Sequence, residues 1–304
     1  MKAVYHPGYQ TPLPPGHPFP MSKYPLLRAR VIEEGLVAPG DFIEPEPLPL
    51  ATLALVHTPE YLDKLTGAGL SPAEERRLGL PWSQALWLRA QLACAGTLAA
   101  ARLALVEGLA ANLAGGTHHA FKDHGEGFCV LNDIAVAIAQ LRIEGKIERA
   151  LIVDLDVHQG NGTAAIFAAD PAVFTFSMHG ERNYPLEKMQ SSLDVALPTG
   201  ASDELYLDAL KRHLPAATDA ARADLAFYLA GVDVAANDRY GKLKLSDAGI
   251  GQRDGFVIES VRRDGIPLAI VLGGGYAPTR ERTAELHTRV FRAAADFERR
   301  HAGR

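Results

Sequence analysis

The chain has 304 residues and a formal net charge of −5, with 47% hydrophobic and 22% charged residues. This composition is typical of a globular protein. The net negative charge does not predict the basic surface that binds nucleic acid or an anionic membrane. The longest apolar stretch, residues 98–113, contains Arg102, Glu107 and Asn112, so it is too polar for a membrane span. We therefore expect neither direct nucleic acid binding nor a membrane partner.

The two cysteines and the N-terminal segment bear on the compartment. Cys94 and Cys129 make no disulfide framework, and residues 1–9 lack the charged-then-apolar pattern of a secretory signal. The expected location is the cytoplasm.

The predicted elements alternate between helix and strand from about residue 112 onwards. Before that point the pattern predicts strands at 3–5 and 52–56 and helices at 24–35, from 59 onwards, and at 83–108. Beyond it we expect helices at 132–143, 163–169, 203–213, 246–263 and 279–300, and strands at 150–156, 172–178, 225–231 and 267–272. Apolar strands alternating with helices are typical of a parallel sheet covered on both faces. No long linker interrupts the pattern, which predicts one α/β domain over residues 1–304.

Polar side chains follow the apolar strand at 150–156. Asp154, Asp156 and His158 are spaced by two, so on an extended strand they would share one face. Gly160 and Gly162 then break the strand, and ligands bind at the carboxyl ends of parallel strands. Two carboxylates and an imidazole are a metal-ligand set, although a strand end with solvated acids is the alternative.

Two later strands are also followed by glycines and by polar side chains. The strand at 225–229 is followed by Asp233, and the last strand by Gly273–Gly275 and Tyr276. If the sheet is parallel, Asp156, His158 and Asp233 meet at one edge as three ligands with an open position, the arrangement of a catalytic zinc. The Tyr276 hydroxyl could donate to an oxyanion, or the ring could be an ordinary rim or core aromatic.

Tandem histidines supply the candidate acid–base pair. His118 and His119 follow two glycines in a loop, and each needs a partner for its second ring nitrogen. Asp154 and Asn161 are the nearby candidates. A surface loop with two solvated histidines is the alternative.

The chain contains five ordered motifs, at Gly116–Ala120, Gly127–Asp133, Asp154–Gly162, Gly231–Asp233 and Gly274–Tyr276. Together they resemble the zinc-dependent histone deacetylase family. The likeness extends from His17–Pro18 to the last helix, and features such as residues 183–185 and 241–246 place it closest to the class IV (histone deacetylase 11-like) branch and its bacterial relatives. It implies a three-layer arginase/deacetylase fold, with a central, mostly parallel sheet of about eight strands and helices on both faces.

The resemblance also implies roles for individual residues. One zinc ion per chain would be held by Asp156, His158 and Asp233. His119 would be the general base and also the general acid, with His118 beside it and Tyr276 polarising the acyl carbonyl. Asp154 would orient His118, and Asn161 would orient His119. The remaining implied residues are Gly127, Phe128 and Tyr184 in an acyl-lysine tunnel, Asp154, Asp156, His158, Ser177 and Met178 around a K⁺ or Na⁺ ion, and Phe167, Asp170 and Val173 near a second such ion.

The sequence departs from the family pattern in two places. Asn161 stands where many members carry aspartate, which predicts a less basic His119. The stretch Leu78–Pro81 lacks the carboxylate that many members use to hold the substrate backbone, so the substrate need not be a histone-like tail.

The sequence therefore predicts a zinc-dependent amidohydrolase that removes acetyl or longer acyl groups from lysine side chains or related small amines. An acetylpolyamine amidohydrolase is the first alternative. A two-manganese, arginase-type ureohydrolase is disfavoured because Gln159 and Gly160 follow His158 and the next acid after Asp233 is Asp238. A metal-binding module without turnover is disfavoured by the intact tandem histidines and Tyr276.

Overall fold

A central sheet of eight parallel strands organises the molecule, which a computed structural model describes at residues 1–67 and 69–301. The strand order across the sheet is β2-β1-β3-β8-β7-β4-β5-β6. The end of the predicted domain, residues 302–304, lies outside the described residues. The strands are β1 (Lys2–Val4), β2 (Phe42–Ile43), β3 (Leu109–Asn112), β4 (Ala150–Asp154), β5 (Val173–Gly180), β6 (Leu193–Leu197), β7 (Leu225–Leu229) and β8 (Leu268–Val271).

Helices cover both faces of this sheet. Alternate residues of β4 enter opposite cores: Leu151 and Val153 pack on one side, and Ala150 and Ile152 on the other, as the two-residue period of a strand requires. Both faces are therefore apolar and buried. The helices are α1 (Lys23–Glu33), α2 (Leu50–Leu53), α3 (Pro59–Thr66), α4 (Pro72–Leu78), α5 (Gln84–Glu107), α6 (Asp133–Ile143), α7 (Asn161–Phe167), α8 (Asp203–Ala221), α9 (Asp247–Arg263) and α10 (Arg280–His301).

Helix α5 is long and apolar enough to cross a membrane by length and composition. Instead of standing alone, it packs against β3, β8 and α6, and 61% of its most apolar window is buried. Ser83 caps its N-terminus by accepting from the Leu86 N–H, and Gly108, at φ 85°, ends it. Its apolar character is accounted for by a place in the core.

The predicted α/β, three-layer architecture is confirmed, and the sheet is parallel throughout. The predicted strand at 52–56 is wrong: helix α2 occupies Leu50–Leu53 and a turn follows it. A short apolar run does not distinguish strand from helix, and Pro49, which directly precedes α2, suits a helix start. Helix α8 continues to Ala221, beyond the predicted end at 213. The strands β2, β3 and β6 and the helix α4 were not predicted.

Five adjacent strands, β3, β8, β7, β4 and β5, direct their carboxyl ends to one edge of the sheet. Because neighbouring parallel strands lie about 4.8 Å apart, loops that leave them at the same edge are brought into contact. All the chemistry-bearing segments of the sequence leave the sheet there.

Candidate active site

Asp156, His158 and Asp233 form one buried cluster at this edge, with ligand atoms within 4.8 Å of one another. His158 Nδ1 lies 2.9 Å from Asp156 Oδ1 and 3.2 Å from Asp233 Oδ2. The predicted shared strand face is wrong in one respect, since β4 ends at Asp154. Asp156 and His158 belong to the loop that follows, whose bends bring them towards Asp233.

Backbone N–H groups hold the two carboxylates of the cluster in place. Gly274 N donates to Asp156 Oδ2 at 2.7 Å, and Val157 N donates to Asp233 Oδ1 at 2.9 Å. A Cβ on Gly274 would lie 2.0 Å from Asp233 Oδ2, so only glycine allows this approach of the backbone. Asp233 Oδ2 itself is buried and accepts no well-formed hydrogen bond from the described residues.

The two carboxylates of the cluster lie close together in a buried site. Burial and the neighbouring Asp156 carboxylate raise the pKa of Asp233 to about 7. Two buried carboxylates this close oppose each other's ionisation. A divalent cation among the converging oxygens and His158 Nδ1 would relieve both effects.

A buried arginine braces the two loops that carry the carboxylates. Arg253, on α9, is fully buried and donates from Nη1 to the Gly231 carbonyl at 2.6 Å and to the Leu155 carbonyl at 3.3 Å. Its charge is balanced by Asp254, which also accepts from the Tyr228 hydroxyl. The sequence does not indicate this role for Arg253, because the loops that it binds are distant in the chain.

The tandem histidines have different partners. His118 Nδ1 lies 2.7 Å from Asp154 Oδ2, and His119 Nδ1 lies 2.7 Å from Asn161 Oδ1. Both rings are buried, with centroids 4.1 Å apart.

The surroundings of the two histidines shift their pKa values in opposite directions. Burial opposes the charged form of His118, but the carboxylates of Asp154 and Asp156 outweigh it and raise the pKa to about 9. Burial and the neighbouring charges of His118 and His158 hold the pKa of His119 well below its usual range. Neighbouring groups whose pKa values are separated in this way suit different acid–base roles.

Glu126 is a site residue that sequence reasoning missed. Its Oε1 accepts from Asn161 Nδ2 at 2.7 Å and from the Tyr184 hydroxyl at 2.6 Å. Burial opposes its ionisation, but hydrogen bonds from His124, Tyr184 and Asn161 lower its pKa to about 2. The only signal in the sequence is an acid directly before Gly127 and Phe128, since its partners are 35 and 58 residues away.

Tyr276 is positioned by its backbone and by other aromatic rings. Asp238 Oδ2 accepts from the Tyr276 N–H at 2.6 Å, while Asp238 Oδ1 accepts from the N–H groups of Tyr240 and Gly241. The rings of Tyr240 and Phe128 lie 4.9 and 5.8 Å from the Tyr276 ring. Burial and the carboxylates of Asp233 and Asp156 raise the pKa of Tyr276, so its hydroxyl stays protonated and able to donate.

A pocket of about 320 Å³ leads from the surface to these groups. Phe128 is fixed at its wall because the Phe128 N–H donates to the Leu78 carbonyl at the end of α4, at 2.7 Å. Gly127 permits the close packing, since a Cβ there would lie 2.5 Å from His119 Cδ2. The described residues that line the pocket include no carboxylate; they are Arg77, Leu78, Gly79, His119, Gly127, Phe128, His158, Asn183, Tyr184, Tyr240, Lys242 and Tyr276.

A second, smaller chamber of about 30 Å³ lies beside the tandem histidines and the metal-ligand cluster. Asp156, His158 and Tyr276 form part of its wall, and Phe19 and Arg89 form another part. Arg89 is buried and already donates to the Tyr9 carbonyl and the Tyr24 hydroxyl. The free space is comparable with that needed by about one water molecule.

Three of the residues predicted to bind a monovalent cation, Asp154, Ser177 and Met178, lie on the neighbouring strands β4 and β5. Asp154 lies opposite Ser177 in the β4–β5 pair, with Met178 next along β5. Ser177 Oγ is 2.9 Å from His179 Nδ1, and Asp154 faces His118. At the second predicted position, Phe167, Asp170 and Val173 line one surface cavity, where Arg142 pairs with Asp170. Both ion sites stay predictions.

The fold and the site together define a class of protein that comparison with known sequences identifies. Residues 17–294 match the histone deacetylase domain family, so the chain belongs to that family. A protein of Picosynechococcus sp., described as uncharacterised, is 46% identical over 293 residues, which cover 96% of this chain and 98% of the relative. Histone deacetylase 2 of Arabidopsis thaliana is 31% identical over 271 residues, 86% of this chain and 70% of the relative.

A solved structure agrees with this assignment. The crystal structure of an HDAC homologue complexed with SAHA matches with a TM-score of 0.81 at 25% sequence identity, over 97% of this chain and 84% of the other. The class IV subdivision stays a prediction.

Proposed function

We propose that the chain is a zinc-dependent deacetylase that hydrolyses the amide of acetylated lysine side chains or similar acetylated amines. One observation carries the proposal: a three-residue metal cluster lies beside two oppositely tuned histidines and a protonated tyrosine, at the base of an open pocket. Family membership supports the reaction class. The metal and the substrate rest on the donor set and the pocket.

The residues present fit a zinc ion. Two carboxylates and one imidazole are ligands that zinc accepts, and three protein ligands leave a position open for substrate or water. The buried Asp233 Oδ2, without a well-formed hydrogen bond from the described residues, is an atom that a cation would satisfy. When bound, the ion would supply Lewis acidity towards the acyl carbonyl and a water molecule.

The chain's own residues would then do the following. His119, neutral and with Nδ1 engaged by Asn161, offers Nε2 to take a proton from the attacking water. Tyr276 would donate to the carbonyl oxygen as negative charge develops on it. His118, held charged by Asp154, would stabilise that charge, and His119 would pass the proton taken from water on to the nitrogen of the leaving amine as the C–N bond breaks. Phe128 and Tyr184 would flank the alkyl chain of the substrate.

The small inner chamber favours a short acyl group. About 30 Å³ accepts the methyl group of an acetyl, whereas a long fatty chain would require Phe19, Arg89 or their neighbours to move. We therefore propose acetyl as the preferred group.

The charge at the pocket mouth argues against acetylpolyamines as the main substrate. Arg77 and Lys242 line the pocket, and both would repel a polycationic amine. A two-manganese ureohydrolase is also disfavoured, because Asp238, the next acid after Asp233, has its carboxylate oxygens engaged by backbone N–H groups.

The test is a side-by-side assay of zinc-loaded protein on acetyl-, medium- and long-acyl-lysine peptides and on acetylpolyamines. We expect kcat/KM to be highest for acetyl-lysine, and both Asp156→Ala and Tyr276→Phe to reduce it by about a hundredfold or more. No hydrolysis of any acyl amide, or full activity in both variants, would refute the proposal. Metal counting by mass spectrometry separates one zinc from two manganese ions.

A further inference from the structure

The hydrogen bonds around Asn161 run in one direction, from the histidine base to a carboxylate. His119 Nδ1 is 2.7 Å from Asn161 Oδ1, and Asn161 Nδ2 is 2.7 Å from Glu126 Oε1. Asn161 is buried and Glu126 has 14% of its side chain exposed, so water is largely excluded from this chain of groups. The three side chains form a relay that ends on Glu126.

An asparagine alone would leave this arrangement undecided. The oxygen and nitrogen of its amide are nearly equal in shape, so a rotated Asn161 could present an N–H to His119 instead of a carbonyl. His119 would then be required to accept at Nδ1, and its proton would lie on Nε2. In that form the ring has no free nitrogen with which to take a proton from water.

Glu126 removes this ambiguity because an ionised carboxylate can only accept hydrogen bonds. The low pKa of Glu126, which results from the groups that donate to it, keeps it ionised. Asn161 must therefore direct Nδ2 towards Glu126 and Oδ1 towards His119. His119 in turn carries its proton on Nδ1, which leaves Nε2 free.

We infer that Glu126 is a positioning residue that sets the tautomer of the His119 base through Asn161. The inference rests on the proposed function for its effect on rate, but the order of the protons stands on geometry alone. The intervening amide separates the negative charge of Glu126 from His119. His119 is thereby oriented without the direct carboxylate contact that makes His118 strongly basic.

Tyr184 connects this relay to the substrate channel. Its hydroxyl donates to the same Glu126 Oε1 at 2.6 Å, and its ring lies 5.0 Å from the His119 ring. One carboxylate oxygen therefore holds both the amide behind the base and the aromatic wall in front of it. Replacing Glu126 should disturb kcat more than KM if the amide is the important partner.

The decisive experiment combines Glu126→Gln with Asn161→Asp in zinc-loaded enzyme. Glutamine keeps the shape of Glu126 but can also donate, so Asn161 can rotate. We expect Glu126→Gln to lower kcat on an acetyl-lysine peptide by about ten- to hundredfold with KM within about twofold. Glu148→Gln makes the same change at an exposed carboxylate just before β4, at the end of that strand opposite to the site, and is the matched control that should leave kcat unchanged.

The double variant separates positioning from a structural role. An aspartate at position 161 accepts from His119 directly and would be repelled by Glu126, so in the Asn161→Asp background Glu126→Gln should raise kcat. An equal loss of kcat in both backgrounds would mean that Glu126 acts structurally, and no loss in the wild-type background would also overturn the inference.

A second readout does not depend on turnover. Nitrogen-15 NMR of the zinc-loaded protein should show His119 with its proton on Nδ1 in the wild type and a mixture of tautomers in Glu126→Gln. The same mixture in the wild type would refute the inference. If no acyl amide is hydrolysed, the proposed function fails while this measurement still decides the role of Glu126.

Discussion

The two halves of the site are built differently although they share one sheet edge. The inner half consists of His118, Asp154, Asp156, His158 and Asp233, which are all buried and dominated by carboxylates. The outer half consists of His119, Asn161, Glu126 and Tyr184, where an amide stands between the histidine and the acid and Tyr184 is 40% exposed. The inner half brings several charged groups together, whereas in the outer half hydrogen bonds through a neutral amide fix the orientation of the side chains.

From this difference we predict which substitutions should abolish activity and which should only reduce it. Buried carboxylates require compensation by a cation or by donors, so losing one of them alters the whole cluster. Exposed groups at the pocket mouth exchange their lost partners for water at smaller cost. Effects should therefore decrease from the metal cluster towards the rim.

The largest effect is expected for Asp233→Asn. Removing one of three ligands and a negative charge should release the zinc and lower kcat/KM by about a thousandfold or more. Metal content by mass spectrometry, measured beside activity, checks this. Asp224→Asn, just before the same strand at its opposite end, is the control and should retain both; zinc retained at full occupancy in Asp233→Asn would contradict the assignment.

Arg253→Met should destabilise the fold rather than act on the reaction alone. The substitution leaves Asp254 as an uncompensated buried charge and frees the carbonyls of Leu155 and Gly231, so the free energy of unfolding should fall by about 3–5 kcal/mol. Denaturant unfolding measures this value. Arg263→Met, on the same helix with 68% of the Arg263 side chain exposed, should change it by less than about 0.5 kcal/mol.

Asp154→Asn would make the inner histidine resemble the outer one. Without the carboxylate at 2.7 Å, the pKa of His118 should fall from about 9 and its charged form should be lost near neutral pH. We expect kcat to drop by about ten- to hundredfold, with zinc retained. Steady-state kinetics together with metal analysis test this, and an unchanged kcat would mean that the charge on His118 is unimportant.

The smallest effect is expected at the pocket mouth. Arg77→Glu should raise kcat/KM for an acetylpolyamine by about three- to tenfold, since an exposed repulsive charge becomes attractive. Arg76→Glu changes the neighbouring residue of α4, which does not line the pocket, and is the matched control. Equal responses in the two variants would show only a general effect of net charge.

Much of the architecture was predictable because apolar strands and helices alternate with clear periods from β4 to α10. The failures lie where short segments carry little pattern: the run before His57 forms a helix, and β6 is partly exposed. The sequence correctly predicted that Asp154, Asp156 and His158 lie close together, but not the geometry, because β4 ends at Asp154. The conformation of the loop after β4, and not the alternation of a strand, orients Asp156 and His158.

The type of fold and the set of chemical groups could be predicted from the sequence, because they depend on periodicity and on the residue types at strand ends. The contacts that set the pKa values and orientations of those groups depend on the tertiary structure. Glu126 reaches Asn161, and Arg253 reaches the loops of Asp156 and Asp233, across 35 and up to 98 residues. Such pairs leave no periodic signal, because their proximity arises from the order of strands in the sheet and from buried charges that require partners.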